Sequence, residues 1–107
     1  MNIDALFDAI ATDYQRWHSR SEYAKDDDFE SFRAKLSVEE GRKYLKVIKT
    51  DGQTMVWGFI QKADDKQFRA GDILKAASWS APARNKARGN VLEGDFSWVR
   101  WTGPEYL

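Results

Sequence analysis

Three cations and no acid occupy nine consecutive residues, Pro82-Ala83-Arg84-Asn85-Lys86-Ala87-Arg88-Gly89-Asn90. Arginine offers a planar fork matched to phosphate or carboxylate oxygens, and lysine adds a point charge. Asn85 and Asn90 both donate and accept hydrogen bonds. Ala83, Ala87 and Gly89 are small enough to let backbone approach a ligand closely. Trp79 precedes the segment, and Trp98, Arg100 and Trp101 follow it, so indole rings stand ready to stack on a base. The expected chemistry is recognition of a phosphate-bearing anion, a nucleotide or a nucleic acid, by Trp79, Arg84, Asn85, Lys86, Arg88, Asn90 and Arg100. The spacing matches no Walker loop and no dinucleotide fingerprint. The same composition also describes a solvated surface loop, and tryptophans are more often core than stacking platforms.

Other constellations carry less. Asp26-Asp27-Asp28 with Glu30 offers oxygen ligands but lacks the glycine and distal glutamate of a calcium loop, so a solvated charge run is expected and no metal site. His18, beside Trp17, is the sole histidine, and it gives no nucleophile triad a base. Asp72, Glu93 and Asp95 lie at turns next to glycines, where their ordinary role is turn chemistry. No catalytic residue is assigned, and no cofactor is expected. Cysteine is absent, which excludes disulfides, thiolate zinc sites and a cysteine nucleophile.

The elements that must position these residues fall into two parts. Ile3, Leu6, Phe7, Ile10, Tyr14 and Trp17 line one face of a helix over residues 3–18, with Asn2 as N-cap and Asp4 in the first turn. Phe29, Phe32 and Leu36 predict a second short helix from about Asp28 to Lys35. Ser37-Val38-Glu39-Glu40 has the form of a capping box, but Gly41 allows at most one turn after it. From Tyr44 the pattern turns β-branched and aromatic. Asp51-Gly52 predicts a two-residue hairpin turn, placing Ile48 opposite Met55, Val47 opposite Val56 and Lys46 opposite Trp57. The last pair would be a cation–π contact. Both faces of that hairpin are partly apolar, so both should be covered, one by the first helix. Further strands are expected at Ile73–Trp79, Gly89–Leu92 and Phe96–Trp101.

The fold expected is therefore α+β, within one domain spanning residues 1–107. An acidic helical region, 1–40, packs on a small, twisted, mainly antiparallel five-stranded sheet or partly open barrel, 41–107. The 107 residues hold 17 bases and 17 acids, but unevenly: residues 1–40 carry ten acids against five bases. The simplest consequence is mutual attraction of the two parts within one fold. No apolar run reaches the roughly 18 residues a membrane helix needs, and no signal-type N-terminus is present, so a cytoplasmic protein is expected.

The stretches Gly71-Asp72-Ile73-Leu74-Lys75-Ala76-Ala77-Ser78-Trp79, Ala81-Pro82-Ala83-Arg84-Asn85, Ala87-Arg88-Gly89-Asn90-Val91 and Val99-Arg100-Trp101-Thr102-Gly103-Pro104 resemble small uncharacterised accessory proteins of tailed bacteriophages. The resemblance covers residues 42–104. It implies a non-virion protein of the bacterial host cytoplasm, one that binds and blocks a host factor or captures nucleotides. It brings no functional residues with it. Three functions stand at this point: a binding protein using the basic loop; an inhibitor of a host protein using the acidic helical surface around Asp26 to Glu30; and a small enzyme on phosphorylated substrates with Asp72, Glu93 or Asp95 as base.

Overall fold

The first helix, α1 (Ile3–His18), starts where its cap predicts: the Asn2 side-chain oxygen accepts the Ala5 N–H at 3.1 Å. The computed structural model describes residues 2–18 and 28–105 of the chain. Leu6, Ile10 and Ala11 are buried, and Ile3, Phe7 and Tyr14 pack beside them. Trp17, at the end of the same stripe, is 56% exposed, and its ring lies against Trp101. The second helix, α2 (Asp28–Arg33), lies on α1. Tyr14 stacks on Phe32 at 4.2 Å between centroids, and Arg33 reaches back to Asp4 (3.1 Å) and Asp8 (2.7 Å).

Leu36, whose spacing placed it with the apolar face of a helix expected to about Lys35, lies beyond α2, which ends at Arg33. It opens β1 (Leu36–Glu40), which pairs antiparallel with β2 (Tyr44–Asp51). Leu36 and Val38 alternate toward the core at the strand period of two, and no helical apolar stripe follows Ser37 to sustain the capping-box reading. The strand β2 then pairs with β3 (Gln53–Gln61), and β3 with the short β4 (Ile73–Leu74), giving an open sheet in the order β1-β2-β3-β4. A separate two-stranded sheet is formed by β5 (Val99–Arg100) and β6 (Gly103–Pro104). The architecture is α+β as expected, but the sheet is not closed and the barrel alternative falls.

The hairpin register differs from the expected one in two steps. Asp51 pairs with Gln53 across Gly52, and Thr50 with Thr54, which shifts every later pair by one. A bulge between Val47 and Ile48 shifts the rest again: Ile48 faces Val56, Val47 faces Gly58 and Lys46 faces Phe59. Trp57 is the extra residue. The bulge aims its indole into the α1 side, where the N–H donates to the Arg100 carbonyl at 2.8 Å. Lys46 consequently never meets Trp57.

Both faces of the hairpin are covered, as its two apolar faces required. Val47, Trp57, Ile60 and Ile73 join Leu6 and Ile10 of α1 in one cluster. Phe59 and Leu74 form a second cluster with Phe68, from the connection after β3. That connection contains little ladder. Of the strand expected over Ile73–Trp79, only Ile73 and Leu74 join the ladder and Ala76 makes an isolated bridge to Pro82; Gly89–Leu92 touches its neighbours through bridges of Asn90 to Asp72 and Asp95; and Phe96–Trp101 shrinks to β5. Backbone hydrogen bonds still run between the segments, from Ile73 N to the Gly89 carbonyl (3.0 Å) and from Arg88 N to the Ile73 carbonyl (2.7 Å).

Gly89 is where this close approach is tightest. Its φ is +124°, and a Cβ there would be driven into the Asp95 carbonyl oxygen. Gly89→Ala should therefore destabilise the fold by about 3 kcal/mol, combining backbone strain with a clash against main chain. Urea unfolding should show a lower midpoint at an unchanged slope.

Candidate anion-binding cleft

The basic loop is built very differently from its composition. Arg88 is 1% exposed, the largest of the fully buried side chains among the described residues. Its guanidinium donates to the Glu105 carbonyl (3.1 Å), the Lys86 carbonyl (2.7 Å) and Asn85 Oδ1 (2.8 Å). Burial pulls its pKa below the ordinary arginine value. Asn90 is buried as well: its amide donates to the Ala70 carbonyl (3.0 Å) and Asp72 Oδ1 (2.9 Å), and its oxygen accepts the Glu93 N–H (3.0 Å). These two residues hold the loop down, their side-chain polar groups spent on the protein's own main chain and on Asn85 and Asp72.

Arg84 is held on the far side of the same loop. It donates to the Tyr44 hydroxyl (2.6 Å) and to Asp65 (2.7 Å), with its guanidinium 4.7 Å from the Phe68 ring centre. Gln67 donates to the Arg84 carbonyl. Asp65 is the hub. It accepts the Phe68 and Gln67 N–H groups (both 2.8 Å), then Gln61 (2.9 Å) and Arg84. Those bonds, the two backbone donors first, hold its carboxyl far below the usual range. Arg100 folds onto its own neighbourhood, donating to the Ser97 and Val99 carbonyls and pairing with Glu105 at 2.8 Å. Lys86 and Asn85 are exposed.

The turn carboxylates are likewise engaged. Asp72 accepts the Arg69 N–H (2.9 Å) besides Asn90, Glu93 pairs with Arg69 at 2.5 Å, and Asp95 accepts the Ser97 hydroxyl (2.6 Å), which lowers its pKa. Asp26 and Asp27 lie outside the described residues, as do the side chains of His18 and Asp28.

What the fold assembles instead is a cleft of about 210 Å³ beside the β1–β2 turn. Glu39, Gly41, Arg42, Lys43, Tyr44, Lys46, Phe59 and Ser80 line it. Three cations and one acid line it, and Lys43 also pairs with Asp65 at 3.8 Å. Tyr44, Lys46 and Phe59 share a sheet face, because 44 and 46 are two apart on β2 and Lys46 pairs with Phe59. The segment after β4 closes the other side, and Lys46 Nζ sits 4.4 Å from the ring centre of Trp79, which remains 49% exposed. The structure thus brings Trp79 and, through Tyr44, Arg84 to this cleft. It leaves Arg88, Asn90 and Arg100 elsewhere. Arg42 and Lys43 escaped the sequence reading, although the dibasic step in a Gly-led turn, with Lys46 following on the Tyr44 side of the strand, is a visible signal.

A family model covers residues 2–104, so both the helical part and the β module fall inside it. The chain belongs to a family of unknown function, DUF7717. The family match reaches well beyond the 42–104 stretch of the bacteriophage resemblance and takes in α1 and α2. No curated protein and no solved structure matches the chain.

Two outcomes separate scaffold from surface. Arg88→Met should cost about 2–3 kcal/mol, since it leaves buried carbonyl oxygens without a donor, whereas Lys86→Ala should change stability by no more than about 0.5 kcal/mol. Chemical denaturation of both variants checks this. Asp65 supplies a pH signature. A carboxyl depressed in the fold stabilises it above its unfolded value, near 3.8, and that stability drains away as pH falls below it. Asp65→Asn should be less stable than wild type at neutral pH, and the gap should narrow between about pH 5 and pH 2. Melting temperatures across that range would show it; a constant gap would rule out the linkage.

Proposed function

We propose that the protein is a non-catalytic binding protein whose β1–β2 cleft takes an anionic ligand, a nucleotide or a short stretch of nucleic acid. The observation carrying this is the Lys46–Trp79 pair: an ammonium 4.4 Å above a half-exposed indole at the rim of a cleft that also holds Arg42, Lys43 and Ser80. A base would stack on the free face of Trp79, and phosphate oxygens would meet Arg42 and Lys46. Ser80 adds a hydroxyl on the opposite wall. Arg84 and Asp65 act behind the cleft by fixing Tyr44. A small accessory protein of a tailed bacteriophage, working in the host cytoplasm and capturing nucleotides or nucleic acid there, suits this reading.

The other binding reading, an inhibitor of a host protein acting through the acidic surface around Asp26 to Glu30, rests on a run whose Asp26 and Asp27 lie outside the described residues. Asp4 and Asp8 are tied to Arg33 within the helical part. The enzymatic alternative needs a carboxylate poised as a base, and Asp72, Glu93 and Asp95 each serve a turn.

The test is thermal shift against nucleotides, cyclic dinucleotides and short oligonucleotides at low and high salt. A ligand of the folded state raises the melting temperature by mass action. For a single strand held by two phosphate contacts, the logarithm of affinity should fall with the logarithm of salt at a slope of about −1.4. Arg42→Glu and Lys46→Glu should each weaken binding at least tenfold while the unliganded melting temperature stays put. Trp79→Ala should cost about 1–3 kcal/mol of binding if a base stacks there. A panel without any shift, or affinity indifferent to both charge reversals, would remove the cleft from consideration.

A further inference from the structure

One acid among the cleft's cations is left without a bond. Glu39, Arg42 and Lys46 all line the cleft beside the β1–β2 turn. Glu39 pairs with Lys46 across the β1–β2 ladder, and Lys46 with Phe59 across the next, so the three side chains form one row on one sheet face. Directly opposed residues hold their Cβ atoms about 5 Å apart, close enough for a carboxylate and an ammonium to meet. These two do not meet. Lys46 Nζ turns to Trp79, 4.4 Å from its ring centre, and among the described residues the Glu39 carboxylate has neither an ion pair nor a hydrogen bond. Its neighbours are engaged. Glu40, on the opposite face of β1, pairs with Lys62 at 3.1 Å, and Lys43 pairs with Asp65 at 3.8 Å.

A carboxylate only accepts hydrogen bonds, and it has two oxygens to fill. Water fills them when the protein is free. Beside a bound phosphate the same carboxylate repels its neighbour, unless the ligand also brings donors to it. In a nucleotide the donors next to the phosphate are the sugar hydroxyls. With the base on Trp79 and the phosphate at Arg42 and Lys46, the sugar falls between them, beside the residue that opposes Lys46 on β1. That residue is Glu39. The 2′ and 3′ hydroxyls of ribose are adjacent O–H donors, equal in number to the carboxylate oxygens, and an acidic side chain is a proven partner for the 2′ hydroxyl in nucleotide sites. Deoxyribose lacks that group.

We propose, resting on the nucleotide reading of the cleft, that Glu39 selects the sugar: its carboxylate accepts the ribose hydroxyls, and the ligand is a ribonucleotide. Ribose phosphate comes from two sources, a free nucleotide or an RNA strand. A free 5′-nucleotide offers Glu39 both hydroxyls, and an internal residue of RNA offers the 2′ alone.

Isothermal titration calorimetry on the full chain tests the sugar separately from the cleft. The probes are the four ribonucleoside 5′-monophosphates, their 2′-deoxy counterparts, and octamers of riboadenylate and deoxyadenylate. The ribo form should bind at least tenfold tighter than the matching deoxy form, as a hydrogen bond to a charged group warrants. Preference among the monophosphates names a free nucleotide as the source; preference confined to the octamers names RNA. Glu39→Ala, at an exposed position, should shrink the ratio to about threefold or less and should tighten the deoxy ligand a fewfold, because the repulsion of its phosphate is gone. Glu40→Ala removes the same charge from the other face of β1 and should leave the ratio as in wild type. Equal affinity for the two sugars, or a ratio that Glu39→Ala leaves unchanged, would overturn the role of Glu39; if Arg42→Glu and Lys46→Glu still weakened binding, the cleft itself would stand. Absence of binding by every probe would remove cleft and sugar selection together.

Discussion

A guanidinium buried among carbonyl oxygens holds the second half of this molecule together. The chain from Lys62 to Trp98 has almost no ladder of its own, since β4 contributes two residues and the rest makes isolated bridges. Buried backbone groups without a ladder still need partners. Arg88 answers that need at one point, bonding the carbonyls of Lys86 and Glu105 and the Asn85 side chain. Asn90 and Asp72 answer it at another. Removing this charge from water is expensive, and several short bonds to oxygen are what offset it. The consequence spreads to Lys75. Burial first, and the nearby Arg88 charge second, lower its pKa, and its ammonium donates to the Pro104 carbonyl at 2.8 Å.

The same constraint explains why the functional reading moves. Arginine and asparagine in a loop look alike whether their hydrogen bonds go to a ligand or to the protein's own carbonyls. The partners of Arg84 lie 40 and 19 residues away, at Tyr44 and Asp65. Those of Arg88 reach 17 residues to Glu105. No local pattern encodes such pairings. The cations that end up facing a cleft, Arg42, Lys43 and Lys46, sit on or beside a regular strand, where period-two geometry sets their direction.

Elements were legible where a local rule decided them. The α1 stripe and its Asn2 cap were readable, as were the hairpin at Gly52 and the covering of both its faces. Misreadings follow from one-residue steps. Pairing Asp51 with Gln53 across Gly52, then bulging at Trp57, moves Trp57 from the Tyr44 side to the α1 side. A single slip in a period of two inverts a face. The energy that selects the bulge is tertiary, namely burial of a large ring with its N–H on the Arg100 carbonyl, and it is invisible to strand patterning. In the same way β1 was hidden by a four-residue capping signature that tertiary pairing with β2 overrides.

The distribution of aromatic side chains carries the argument further than charge does. Single exposed apolar residues are ordinary on protein surfaces. Here the chain buries an arginine while leaving Trp17 and Trp79 about half exposed, and each of the two indoles lies beside a cation-lined hollow. The Trp79 side presents one ring with a lysine over it, near the dibasic step Arg42-Lys43. The Trp17 side presents two tilted rings, with Met55 beyond them. The family match from residue 2 to residue 104 contains α1 and β6 alike. The helix is thus more than a cover for the sheet: Asp13 accepts the main-chain N–H of Trp101, and the Trp17 ring lies 5.1 Å from the Trp101 ring.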